Sequence, residues 1–181
     1  LAAGQTGGRA GAPNRTAVID RAGFNAFNWN SDGQIFGLFE PSHMQYELDR
    51  AKDGKGEPSI TEMTKAAITR LSRNKNGYVL MVEGGRVDHG LHAGDAQRAL
   101  GDAAALDEAI AAAVAATDPK DTLIIVTADH SHTLILQGYP QRGNPILGLV
   151  KENDKLVKAL DGKPYTTLSF ANGPGSVCKP Q

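Results

Sequence analysis

Two short strings hold most of the side chains in this sequence whose types and spacing suit catalysis. EGGRVDHGLH carries Glu83, Asp88, His89 and His92, and ADHSH carries Asp129, His130 and His132. Together they contain four of the five histidines in the 181-residue chain. Carboxylate oxygen with imidazole nitrogen is the donor set that zinc takes, and an oxygen-rich position beside it suits magnesium. The chemistry to expect is metal-centred hydrolysis. Asp88 and His92 are four apart, so a helical turn places both on one face, where they can grip one ion. Gly84-Gly85 ahead of them opens backbone conformations denied to other residues. Asp129 and His130 are adjacent, and both reach a metal only where a strand ends and the chain turns. Taken singly, Asp88 has a plainer explanation as a helix cap, and His43, in PSHM, reads as a hydrogen-bonded loop residue. Two clusters collected at two strand ends are not explained that way.

The elements that must position these strings follow from the flanking pattern. Ser59-Ile-Thr-Glu62 fits a capping box, and Met63, Ala66, Ala67 and Leu71 recur at helical spacing behind it. Gly77 stops that helix just before Tyr78–Val82, an unbroken apolar run that reads as a strand. Asp95 to Thr117 is predicted helical, with Ala99, Leu100, Ala103, Leu106, Ile110 and Val114 as its buried stripe. Asp118-Pro119 ends it. Thr122 to Thr127 is a second non-alternating strand, the pattern of one covered on both faces. Strand, helix, strand in this order predicts a right-handed βαβ unit, with the two strands as neighbouring or near-neighbouring central strands of a parallel sheet. Ligand groups in such sheets sit just beyond the carboxyl ends of the strands, which would bring both clusters into one pocket.

Elsewhere the signals are weaker. Residues 1–14 are glycine-rich and read as a loop or ragged end, and GQTGGRAG lacks the lysine and hydroxyl residue of a phosphate loop. Gln34–Phe39 is a strand candidate, Gln45–Gly56 a charged surface segment, LVKALDG (Leu156–Gly162) a short helix, and Tyr165–Phe170 a last strand. The length suits one domain, and a hydrophobic content of 40% suits a real core. A net charge of −1, from 19 basic and 20 acidic residues, creates no field that would attract nucleic acid or an anionic membrane. No apolar run approaches the roughly 20 residues of a membrane helix. The single Cys178 forms no internal disulfide.

VEGGRVDHGLH followed by VTADHSH, with DEAI on the helix between, resembles the metal-binding half of the alkaline phosphatase family. LFEPSHMQYELDR, GYPQRGN and YTTLSFANGPG resemble it too, so the likeness runs from about Gly37 to Gly175. It implies an α/β fold with a mainly parallel central sheet sandwiched by helices, residues 15–175 forming one partial domain. It further implies two zinc ions and one magnesium. Glu83 would be a magnesium ligand, Asp88 and His92 would bind one zinc, and Asp129 and His130 the other. His89 and His132 match positions whose hydrogen bonds orient the ligands. The implied activity is hydrolysis of phosphate monoesters through a phosphoserine, in a periplasmic or extracellular homodimer.

The same resemblance marks what is not here. The family's nucleophile lies in an Asp-Ser-Ala motif, and no Asp-Ser pair occurs in this sequence. Its phosphate-clamping arginine and the aspartate that bridges zinc and magnesium also belong upstream, and a further zinc-binding histidine belongs downstream. The chain is therefore expected to be an internal piece of the enzyme, inactive alone. The competing readings are a related metal-dependent phosphodiesterase or sulfatase, and a non-catalytic metal-binding piece.

Overall fold

The computed structural model describes residues 14–172. The chain divides into two compact units, one of Leu1–Gly84 with Asp102–Ile124 and the other of Gly85–Gly101 with Ile125–Gln181.

In the first unit the order is β1 (Arg15–Val18), α1 (Arg21–Ala26), β2 (Gln34–Gly37), α2 (Glu47–Arg50) and α3 (Ile60–Leu71). β1 and β2 run parallel, with Arg15 opposite Gln34 and Val18 opposite Gly37. Asp20 caps α1 by accepting the N–H of Gly23. Phe24 of α1 is thereby turned onto Val18 and Ala66, and Phe27, Trp29, Ile35, Phe39 and Met63 pack around this core. The predicted capping box of α3 is present: Ser59 accepts from the Glu62 amide while Glu62 accepts from the Ser59 amide. Glu62 also receives two N–H groups of Arg21, each at 2.6 Å, which clamps the start of α1 to the start of α3. That guanidinium holds the Glu62 carboxyl at about 2, far below the usual carboxylate range.

Among the described residues Tyr78–Val82 belongs to no strand and pairs with none, and the same holds for Thr122–Thr127. This corrects the expectation of two neighbouring central strands. A non-alternating strand is held by partners at both edges and cover on both faces. Here Val79 is 94% exposed and Leu123 83%, so neither cover nor partner is supplied by the described residues. The helix between the two runs is nevertheless present as α5 (Ala96–Ala116), within one residue of the predicted ends.

The second unit contains α4 (Gly85–His92), the first residues of α5, and four short strands: β3 (Leu134–Leu136), β4 (Lys151–Glu152), β5 (Lys155–Leu156) and β6 (Leu168–Phe170). β3 pairs antiparallel with β6, so only the end of the predicted Tyr165–Phe170 strand is in a ladder. The helix expected over Leu156–Gly162 is absent. Leu156 instead pairs with Lys151 across a hairpin whose turn residues, Asn153 and Asp154, have φ of 50° and 61°. Asn and Asp tolerate that left-handed conformation, and so short an apolar run cannot sustain an isolated helix against strand pairing. Val150 is fully buried here, its N–H donated to the carbonyl of Tyr165 and its carbonyl accepting from Val157. The described residues thus form an α/β fold, with one parallel and two antiparallel two-stranded sheets among them, consistent with a fragment of the expected fold.

Candidate metal centre

Two local devices in the second unit place α4. Asp95 accepts the Arg98 N–H at 3.0 Å and so starts α5 immediately after the turn that ends α4. Gly90 then lets the two helices meet closely: a Cβ at this position would lie 2.7 Å from the Ala99 nitrogen. Only glycine allows backbone to approach backbone in this way.

With α4 fixed, Asp88 and His92 project from one face as their spacing predicts, His92 Nε2 lying 3.5 Å from Asp88 Oδ2. The segment after Ile125 brings two more imidazoles to the same carboxylate. His132 Nε2 donates to Asp88 Oδ1 at 2.6 Å, across 44 positions of sequence. His130 Nε2 stands 3.6 Å from that oxygen and 3.7 Å from Asp129 Oδ2. The His92 and His132 rings meet edge to face with centroids 4.6 Å apart. Asp88 is therefore the hub of three histidines. The hydrogen bond from His132, reinforced by the neighbouring imidazoles, holds its carboxyl below the ordinary range. It is an ionised acceptor, as a ligand must be.

Hydrogen bonding also sorts the imidazole nitrogens. His130 Nδ1 faces the Ser131 carbonyl at 3.1 Å, and an oxygen without protons requires that nitrogen to donate. That leaves Nε2 as the nitrogen turned toward the two aspartates, the one that a metal would use. His132 is the opposite case. Its Nε2 spends its proton on Asp88, and a nitrogen that carries that proton has no lone pair for an ion. His89 points its Nδ1 at the Arg86 guanidinium, 3.1 Å away, and there it accepts. Asp88, His92 and His132 have ligand-type atoms within 4.8 Å of one another. The oxygen and nitrogen donors collected around Asp88 suit zinc or another borderline divalent ion. Asp129 is 91% exposed, with His130 beside it. Glu83 belongs to the first unit, where it lines a cavity of about 210 Å³ with Ile60, Met63, Leu80 and Val82.

The first unit holds a second set of donors that sequence reasoning missed. Glu40, Asp53 and Glu57 each place a carboxylate oxygen within 4.8 Å of the others. Glu57 is only 2% exposed, and one of its oxygens accepts from the Gln45 amide at 2.8 Å. Its other oxygen and one from Asp53 are buried without a hydrogen bond. Burial, followed by repulsion from Asp53 and Glu40, pushes the Glu57 carboxyl up. An all-oxygen set of this kind suits a hard divalent cation. Nothing in the spacing of these three residues signals that they meet, and Asp53 lies in the segment read as solvated surface.

The family model for alkaline phosphatase matches residues 14–181. The tissue-nonspecific alkaline phosphatase isozyme of Gallus gallus is 48% identical over 141 residues and that of Felis catus 50%, the match covering 78% of this chain and 26% of either relative. A crystal structure of Thermus thermophilus alkaline phosphatase is 37% identical, covers 54% of this chain and 20% of that one, and has a TM-score of 0.49. The chain thus spans about a quarter of the length of the curated relatives it matches. No helix among the described residues is long and apolar enough to cross a membrane. The match over residues 14–181 and the identity to these relatives give the same answer: the chain belongs to the alkaline phosphatase family, whose members are metal-dependent hydrolases.

Proposed function

We propose that this chain supplies metal-binding and ligand-orienting groups for the hydrolysis of phosphate monoesters. The observation that carries the reading is the gathering of His92, His130 and His132 on Asp88 from segments far apart in sequence. Asp88 and His92 hold one zinc, Asp129 and His130 a second, and Glu83 contributes to a magnesium site. Divalent cations held there neutralise charge on the entering and leaving oxygens of a phosphoryl transfer. The chain's own residues do the preparatory work. The His132 donor holds the Asp88 carboxyl below its ordinary range, so Asp88 stays ionised further into acid. His130 is oriented by its Nδ1, which faces the Ser131 carbonyl, so that Nε2 is turned toward the aspartates. His89 is turned by Arg86, its Nδ1 meeting the guanidinium.

The reaction passes through a phosphoserine, whose serine lies in the family's Asp-Ser-Ala motif, and no Asp-Ser pair occurs in these 181 residues. Residues 15–175 belong to one partial α/β domain of a periplasmic or extracellular homodimer. The test uses the whole protein that contains this chain. It should hydrolyse p-nitrophenyl phosphate far faster than bis(p-nitrophenyl) phosphate, and Asp88→Asn should lose bound zinc and monoesterase activity together. Preference for the diester would replace this reading with a phosphodiesterase. Full zinc content and activity in Asp88→Asn would remove Asp88 from the site.

A further inference from the structure

The turn that follows α3 is tied through its main chain and leaves one amide side chain loose. Asn74 donates its N–H to the Leu71 carbonyl at 3.0 Å, its side-chain oxygen accepts the Asn76 N–H at 3.1 Å, and its carbonyl accepts the Gly77 N–H at 3.0 Å. Asparagine commonly closes turns in this way. The Asn76 side chain, by contrast, makes no hydrogen bond among the described residues, and every residue from Ser72 to Gly77 is exposed. Gly77, at φ +83°, has open space where a Cβ would stand.

Asparagine is one of the thermolabile residue types, and the residue after it decides how readily its amide is lost. Glycine puts no β-carbon in the way of its own nitrogen, so the main chain can close on the preceding side chain. Two of the nine asparagines in the chain precede glycine, Asn76 and Asn172. The structure separates them. The Asn172 side-chain oxygen accepts the Thr133 hydroxyl at 2.9 Å, which holds that amide in place. At Asn76 the one restraint is the Gly77 N–H given to the Asn74 carbonyl, and a hydrogen bond in an exposed turn opens locally at small cost.

We propose that Asn76 is a site of self-modification, at which the folded protein converts an amide to aspartate and isoaspartate without an enzyme. The Gly77 nitrogen attacks Cγ of Asn76, a nitrogen–carbon bond forms, the bond from Cγ to the amide nitrogen breaks, and ammonia departs with the proton from Gly77. Water then opens the cyclic imide at either carbonyl. Opening at one gives aspartate, and opening at the other gives isoaspartate. Both products add a negative charge, and isoaspartate also adds a methylene to the main chain, in the turn that leads into Tyr78–Val82 and so to Glu83.

The test uses the whole protein that contains this chain, held in mildly alkaline buffer, folded in one sample and unfolded in urea in another. Peptides containing residues 76 and 172 are read by mass spectrometry over time, and enzymatic methyl labelling identifies isoaspartate. In the folded sample residue 76 should gain one mass unit ahead of residue 172, with isoaspartate among the products. The gain should vanish in Asn76→Gln and slow markedly in Gly77→Ala. Asn76 left intact in the folded protein while the unfolded chain converts, or residue 172 converting first, overturns the proposal. An undiminished rate in Gly77→Ala overturns the attack by the main chain. The readout is the peptide and not the activity, so the result is independent of the metal-site reading above.

Discussion

Replacing His132 by Ala separates a residue that orients a ligand from one that is a ligand. Its Nε2–H···Oδ1 bond to Asp88 is short, 2.6 Å, and the acceptor is charged. Loss of a hydrogen-bonding partner behind a metal ligand typically costs about 10–100-fold in affinity. Zinc titration of the whole protein against a chromophoric chelator should therefore show one class of sites weakened by that factor with the stoichiometry unchanged. His132→Gln, which keeps an N–H donor, should recover part of the loss. The pH dependence has a definite sign. Asp88 is held below its ordinary range by this bond, so its ligand form persists as the pH falls and is lost only below the ordinary carboxylate value. Without the donor, zinc release on acidification should begin at a higher pH. Unchanged affinity would show that His132 does not support Asp88, and loss of a whole zinc equivalent would show that it binds the ion itself.

Two further outcomes concern the elements that hold the site. Gly90→Ala forces a Cβ against the Ala99 backbone and should cost about 1–3 kcal/mol as overpacking; an unchanged urea midpoint would show that α4 can shift freely. Glu62→Gln removes a carboxylate held at about 2 against an ordinary 4.5. That shift corresponds to roughly 3.4 kcal/mol, which screening of a side chain 37% exposed reduces to about 1–2 kcal/mol. Because the folded value is depressed, the contribution is present above 4.5 and lost as the pH falls toward 2. Urea unfolding from pH 7 to 3 should show a smaller acid-induced loss of stability in the variant than in the parent, and identical slopes would refute the Arg21–Glu62 account.

Legibility followed the range of the interaction. The capping box of α3 is spelled within four residues, Ser59 to Glu62, and the structure contains it. α5 announced itself through Asp95 and a long apolar stripe, and its ends lie within one residue of expectation. Leu134–Leu136 escaped notice because a three-residue strand is defined by its distant partner, Leu168–Phe170, rather than by its own pattern. LVKAL was misread because its apolar spacing imitates a helix while the Asn153-Asp154 turn before it dictates a hairpin. The Glu40, Asp53 and Glu57 group lay beyond pattern reading altogether, since carboxylates in a charged stretch look alike until folding buries one of them to 2% exposure.

This ordering also explains how the Asp88 cluster can assemble while Tyr78–Val82 and Thr122–Thr127 remain unpaired. Asp88 and His92 need only one helix, and that helix is fixed by Gly90 against Ala99 and by the Asp95 cap, all within fifteen positions. His130 and His132 then arrive on a short segment anchored by β3, the strand that begins two residues later. The apolar runs have no such local support. Val79, Met81, Leu123 and Ile125 are each more than three-quarters exposed, and fully burying side chains of this kind contributes about 1.5–3 kcal/mol apiece. Glu83 terminates the first run and has neither a helix nor a cap of its own. Its position consequently depends on how Tyr78–Val82 is held, whereas that of Asp88 is already set by α4.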